Sequence, residues 1–450
     1  MTTLADFIHD MQYADLPSSV LEMARTCILD LVGVAAAGRK TGLSQIAHDH
    51  AARHFAASPE SSVRLMFDGR RASAAGAAFA GAATIDSFDA HDGHPLTKGH
   101  AGVAVLPAAL AFFQYTSEGN GKALLADMVI GYEIAIRAGM ALHATACDYH
   151  TSGAWNAMAC AALGSRRLEL GEAATRHALG IAEYHGPRSQ MMRCIDHPTM
   201  VKDGSAWGAL AGVSAALLAA DGFTGAPALL AESADVAGFW SDLGSHWRVL
   251  EQYFKPYPVC RWAQPAVEAA VGLQGRHNLD AAAIAGITIS SFDAAVRLAC
   301  RRPATTEEAQ YSLPFPVAAA LVRGSIGAAD IGGTGLADPD ILRLSDMMVL
   351  ETFPEYERLF PEQRWAHVTF HLADGRTVTS EPALARGNAE NPLSPGEMLA
   401  KYRALASPVL GEKRAALIET MIDQIEEVDI CCSLAELLAA PATPHPAFVE

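Results

Sequence analysis

Residues 86–102 constrain the fold more than any other stretch of this chain. They read Asp86-Ser-Phe-Asp89-Ala-His91-Asp92-Gly93-His94-Pro95-Leu-Thr97-Lys98-Gly99-His100-Ala-Gly102. Nine of the first fifteen can donate, accept or carry a proton. Gly93, Gly99 and Pro95 keep the segment from being a helix interior. Apolar, Ala-rich runs bracket it, Ala75–Ile85 before and Val103–Phe113 after, and both predict buried helices. Carrying so many titratable groups between two core helices costs several kcal/mol unless they are paired or line a cavity. The stretch is therefore a candidate active site. A solvated polar loop is the alternative.

The remaining pattern is helical over the first two thirds. Ser19-Val-Leu-Glu22 predicts a capping box that opens a helix through Ala37, stopped at Gly38. Val63–Phe67 with Asp68-Gly69 predicts a short hairpin. Lys122–Ala144, Ala154–Leu163, Gly171–Tyr184 and Ser205–Ala220 predict further helices, the last ended by Gly222-Phe-Thr-Gly225. Within the first of these, Glu133 and Arg137 are four apart and placed to pair. The Ala and Gly content of these helices implies close-packed all-α architecture, not a parallel sheet.

After about Tyr253 the character changes. Ile284–Phe292 predicts a strand, and His367–Ser380 a hairpin turning at Asp374-Gly375. Met398–Leu405, Arg414–Ile425 and Leu434–Leu438 return to helical pattern, and the residues from Pro441 are expected to be loose. The expected fold is mainly α: a large all-helical domain with an inserted smaller α+β lid. The boundaries fall at 1–253 (helical), 254–390 (lid) and 391–450 (helical return).

A formal charge of −17 argues against nucleic acid. It also makes a small anion an awkward substrate unless a local cation cluster overrides the global field. No apolar run suits a membrane span, and the opening residues lack a signal-peptide pattern. Eight cysteines without a Cys-x-x-Cys spacing read as buried thiols of a reducing cytoplasm.

Four segments carry candidate chemistry. Asp89 and His100 flank a glycine-containing turn and suit proton exchange with a substrate. Asp89, Asp92, His91, His94 and His100 offer metal-ligand types, but His-x-x-His with acidic neighbours is a weak pattern and no metal is expected. His150 precedes a helix start at Thr151 or Ser152 and gains weight only if it meets the first cluster in space. Lys202 stands before the helix at Ser205, where it does not help the dipole; binding an anion together with the helix amides is a better explanation. Lys255 and Arg261 lie in Phe254-Lys-Pro-Tyr-Pro-Val-Cys260-Arg261, which two prolines stiffen, so a charge there can be aimed with little entropy loss. An exposed loop lysine and a surface linker are the alternatives for these last two segments. No Gly-x-Ser-x-Gly elbow, P-loop or Gly-x-Gly-x-x-Gly is present.

Across nearly its whole length the chain resembles the MmgE/PrpD family, which includes 2-methylcitrate dehydratase, cis-aconitate decarboxylase and iminodisuccinate epimerase. The resemblance rests on the Asp89–Leu110 block, Gly131-Tyr132-Glu133 with Arg137, the turn at His150 and Lys202-x-Gly204. It continues through Gly222-Phe-Thr-Gly225, Lys255-x-Tyr-Pro258-x-Cys260, and Thr305-Thr-Glu-Glu-Ala309 with Ser312. It implies a helical domain with a lid, a homodimer, and neither metal nor organic cofactor. It assigns active-site roles to Asp89, His100, His150, Lys202 and Lys255, with His91, His94, Lys98 and Arg261 as substrate-binding residues. Two positions depart from the family pattern: Gly93 stands where a threonine is usual, and Phe315 where some decarboxylases have a tyrosine. The implied activity is a cofactor-independent lyase, dehydratase or decarboxylase, acting on a small di- or tricarboxylate; an epimerase of an amino- or imino-dicarboxylate is the alternative.

Overall fold

A computed structural model of the protein describes residues 3–429 and 433–442. The fold is mainly α. Seven helices form the body: Ser18–Gly38, Ala74–Asp86, Gly102–Thr116, Gly121–Thr145, Gly153–Arg167, Glu172–His185 and Ser205–Ala220. Small residues set how closely they pack. A Cβ at Gly212 would lie 2.2 Å from the Ala157 carbonyl oxygen, and one at Gly208 2.5 Å from that of Gly153. The helices Ser205–Ala220 and Gly153–Arg167 therefore touch backbone to backbone. A Cβ at Gly38 would lie 2.0 Å from the Thr84 oxygen, so Ser18–Gly38 meets Ala74–Asp86 in the same way.

The predicted Glu133–Arg137 pair forms at 3.2 Å with both side chains fully buried. It also reaches outward: Glu133 accepts from the Val249 amide, and Arg137 donates to the carbonyls of Phe239 and His246. A helix-surface pair by pattern is thus a buried clamp on residues 239–249. Burial favours the neutral carboxyl, pushing Glu133 up to about 7, with Arg137 opposing.

Ser62–Arg64 and Arg71–Ser73 pair antiparallel, as the hairpin pattern predicted. The second sheet has Ile284–Ser291 at its centre, antiparallel to Trp365–Leu372 and parallel to Met348–Thr352. Thr377–Thr379 and Ala383–Leu384 pair with Trp365–Leu372. A parallel pair was not expected. The returning helix Pro395–Leu410 packs on Ser18–Gly38, with Gly33 making room for Tyr402.

Two local expectations are corrected. The first long helix starts at Ser18 with Pro17 as its N-cap and no capping box, because proline has neither a side-chain oxygen nor a backbone N–H to form one. Pro441 and Ala442 are held, not loose: Arg414 donates to the Pro441 carbonyl at 2.9 Å and the Ala442 amide to Phe67 at 3.0 Å. The residues beyond them, like the Cys431-Cys432 pair, lie outside the described residues. Cys27, Cys147, Cys160, Cys194, Cys260 and Cys300 are free thiols. Among the described residues no helix is long and apolar enough to cross a membrane.

Gly212→Val should cost about 3 kcal/mol or more in urea unfolding, because backbone cannot yield to the new methyls. Gly272→Ala, whose Cβ meets nothing within 4 Å, should be neutral or stabilising. Equal effects of the two would contradict the backbone-contact account.

Candidate active site

The polar stretch is buried between its two helices, so the solvated-loop alternative fails. Asp86, Asp89, His91, Asp92, His94 and Thr97 are all buried. Three neighbours fix the backbone here. Gly93 pairs in both directions with Tyr253 (2.8 and 3.0 Å), the His94 amide donates to Gly99, and Lys401 of the returning helix donates to Ala90 O and Asp30 Oδ1. Glycine at 93 has a steric reason, since a Cβ there would lie 2.5 Å from Tyr253 Oη and 2.7 Å from His100 Nδ1. The tyrosine ring and the imidazole fill the volume a threonine would need.

Asp89 is the centre. Its Oδ1 accepts from Lys255 Nζ at 2.7 Å, with both side chains almost wholly buried. Its amide donates to Gln310 Oε1 at 2.9 Å, and the same oxygen accepts from Lys202 Nζ at 2.7 Å. Gln310 Nε2 is spent on Ser87 O and Thr306 Oγ1, which fixes the amide's orientation. One glutamine thus couples the acidic loop to the lysine at residue 202. Burial alone would raise the Asp89 pKa; Lys255, Lys202 and His100 outweigh it and hold the carboxyl below its usual range. Asp89 is ionised.

Lys202 adopts a left-handed backbone, φ 46°, followed by Gly204 at φ 67°. For a lysine that conformation is strained. The side chain reaches Gln310 and lies over the Tyr311 ring, 4.6 Å from the centroid. Burial pushes the Asp86 carboxyl up to about 6, outweighing Lys202 and the Ser205 amide at its helix start, which both favour the ionised form.

His100 donates from Nδ1 to the Asp92 carbonyl at 2.6 Å. A carbonyl only accepts, so the proton sits on Nδ1 and Nε2 keeps its lone pair. The His100 amide donates to Ser152 Oγ, whose hydroxyl donates to Asp203. Burial and then Lys255 push the His100 pKa down to about 3, with Asp89 opposing. His91 lies against it, ring centroids 4.3 Å apart, with neither ring nitrogen hydrogen-bonded. Burial, His100 and Lys255 hold His91 well below the usual value.

A small pocket is lined by Asp89, Lys98, His100, Arg261, Tyr311 and Arg364, with Tyr149, Tyr253 and Trp262 among its other walls. Arg261 stacks over Tyr253 and spends its guanidinium on Gln264, Asn388 and the carbonyls of Ala385 and Arg386. It braces the wall more than it offers donors to a ligand. Two predicted residues are not brought in. His94 is turned to Glu251 at 2.9 Å. His150 is half-buried, bonded to the Asp148 carbonyl at 2.9 Å, and its neighbour Tyr149 takes the wall position, donating to the Lys98 carbonyl. Gln310, Tyr311, Tyr253 and Arg364 were not singled out by sequence. The motif around Thr305–Ser312 brackets the first two, which is the one sequence signal that bordered them.

Asp89, His91 and His100 each bring a ligand-type atom within 4.8 Å of the others, a donor set a divalent metal could use. Lys255 already occupies one Asp89 oxygen, and its charge with that of Lys202 opposes a dication there. A larger cavity of ≈ 1420 Å³ lies against Phe88, Met200 and Thr306, without this acid–base set.

The pocket thus joins one ionised carboxylate and one neutral imidazole to three lining cations, Lys98, Arg261 and Arg364, with Lys255 paired to the carboxylate. The chain belongs to the MmgE/PrpD family: the family's N-terminal domain matches residues 2–245 and its C-terminal domain residues 257–427. It is similar to cis-aconitate decarboxylase of Homo sapiens, 25% identical over 478 residues covering 98% of this chain and 95% of that one. It is also similar to cis-aconitate decarboxylase of Aspergillus terreus, 25% identical over 475 residues covering 95% and 93%.

His100 binds a proton near pH 6.5 in the unfolded chain but only near 3 when folded. The unfolded state therefore holds more protons in that window, so stability falls as pH drops from 6.5 toward 3. His100→Gln should lose less stability than wild type between pH 7 and pH 5 in urea titrations; an unchanged acid loss would contradict the assignment.

Proposed function

We propose that this protein is a cofactor-independent lyase that decarboxylates an aconitate-type acid. The observation that carries the reading is one pocket lined by an ionised Asp89, a proton-accepting His100 and the cations Lys98, Arg261 and Arg364, with the Lys202 ammonium buried behind its Tyr311 wall on the Gln310 amide. A substrate carboxylate supplies the missing counter-charge. The names of the relatives, cis-aconitate decarboxylases, favour decarboxylation over dehydration of a citrate-type acid.

In this reading the polycarboxylate enters with its charge against the lining cations. The bond to one carboxylate breaks and CO₂ leaves. The electron pair passes into the adjacent unsaturated carboxylate system, and a proton is delivered to carbon. Lys202 meets the charge that builds on the retained carboxylate, the kind of preorganised electrostatic help worth most in a closed site. His100 supplies the proton. It is neutral in the empty pocket, and a polyanion beside it raises its proton affinity, so binding loads Nε2 while Nδ1–H stays on the Asp92 carbonyl. Asp89 holds Lys255 and orients the loop.

The pocket walls come from both the helical body (His100, Lys98) and residues 254–390 (Tyr311, Arg364), so residues 254–390 would act as a lid that opens to admit substrate. A homodimer belongs to the same proposal. The apolar face of Ile46, Val201 and Trp207, more than half exposed, is the surface it would bury. Light scattering giving twice the chain mass checks it.

Proton NMR of the protein with cis-aconitate should show the vinyl signal replaced by that of a new terminal methylene as CO₂ is released. Lys202→Ala should fold but lower kcat on the order of 10²-fold or more. Near-normal turnover by that variant, or none by wild type on any aconitate- or citrate-type acid, would refute the reading.

A further inference from the structure

We infer that Arg364 and Lys98 form a carboxylate subsite in the pocket lined by Asp89 and His100, holding the end of the substrate away from the reacting carbon. The inference rests on the proposed lyase reading and narrows it to substrates with at least two separated carboxylates.

Four observations carry it. Arg364 is 7% exposed, lines the same cavity as Asp89 and His100, and uses one donor on the Pro95 carbonyl at 3.0 Å. Its Nε is buried with no hydrogen-bond partner. A buried guanidinium donor left unpaired is costly unless a ligand completes it. Lys98 lines the cavity too, its ammonium over the Tyr149 ring at 4.4 Å. Among the described residues neither cation makes an ion pair within 4 Å, whereas Lys255 has Asp89 and Arg261 has four acceptors.

The backbone supports this. Lys98 has φ 50°, a left-handed backbone that a lysine rarely adopts. Strain is retained where surrounding structure imposes it, often at ligand sites. Burial first and then Arg364 push the Lys98 pKa down, with Glu362 opposing. Two cations lining one pocket, each raising the cost of the other, gain when an anion binds beside them. The Arg364 fork suits a carboxylate, and its contact with Pro95 lets the same residue close the C-terminal region over the polar loop.

The test compares Arg364→Gln, Arg364→Lys and Lys98→Gln with wild type in two assays. Calorimetry uses tricarballylate, a saturated tricarboxylate that cannot react, and crotonate, a monocarboxylate. Turnover is followed on cis-aconitate, and thermal unfolding confirms that each variant is folded. The expected result is a 10- to 100-fold weaker tricarballylate affinity for both glutamine variants. KM should rise by a similar factor, with kcat within threefold. Arg364→Lys should recover part of the loss, and crotonate binding should be unchanged. Wild-type tricarballylate affinity in the glutamine variants, or loss of kcat at constant KM, would overturn the subsite and leave the lyase reading standing. Failure of wild type to bind any polycarboxylate would overturn both.

Discussion

The ion pair between Asp89 and Lys255 is the interaction on which the rest of the site depends. Two opposite charges sit 2.7 Å apart, nearly out of reach of water. Removing both from water costs several kcal/mol each, and well-packed apolar residues would often serve stability as well or better. Truncating one partner leaves the other charge stranded, a loss of about 3–5 kcal/mol. A pair of that kind, extended through Gln310 to a second buried lysine, makes sense as a device for presenting charge to a ligand. The net charge of −17 sharpens the point. An acidic protein nonetheless lines one small cavity with three cations, Lys98, Arg261 and Arg364.

Presentation needs rigidity, and each group in the pocket is held from behind. Lys401 ties the loop at Ala90 to the Asp30 carboxylate of the first long helix. Ser152 and Asp203 hold the backbone of His100, and the Asp92 carbonyl sets its tautomer. Tyr253 pairs with Gly93, and the Gln310 amide has every polar atom engaged. The polar loop therefore keeps its shape before anything binds, which lowers the ordering cost at the moment of binding. The packed helices behind it, brought together at Gly208, Gly212 and Gly38, supply the frame.

Much of this was legible in the sequence, and the failures have physical reasons. The helix Ser205–Ala220 was read to the residue because Gly204 and Gly222, both at positive φ, punctuate it. The hairpin at Asp374-Gly375 was equally clear. The edge strand Met348–Thr352 was not, since five residues with one buried face carry almost no periodicity. In the site, Asp89, His100, Lys202 and Lys255 stood out because charge within apolar surroundings asks for an explanation. Tyr149 and His150 differ by one position, and only the folded turn decides which ring faces inward. Arg364 follows Pro361-Glu-Gln and reads as exposed polar loop; its burial is created by tertiary contact with Pro95. Gln310 carries no charge, so nothing local marked it.

The central claim is that a neutral imidazole at His100 waits for a polyanion to charge it. Nitrogen-15 NMR of histidine-labelled protein near pH 6 reads that directly. The empty protein should show His100 as the neutral Nδ1–H tautomer, and saturation with tricarballylate should convert it to the doubly protonated form. A His100 signal already charged without ligand, or unmoved at saturating ligand, would contradict the account.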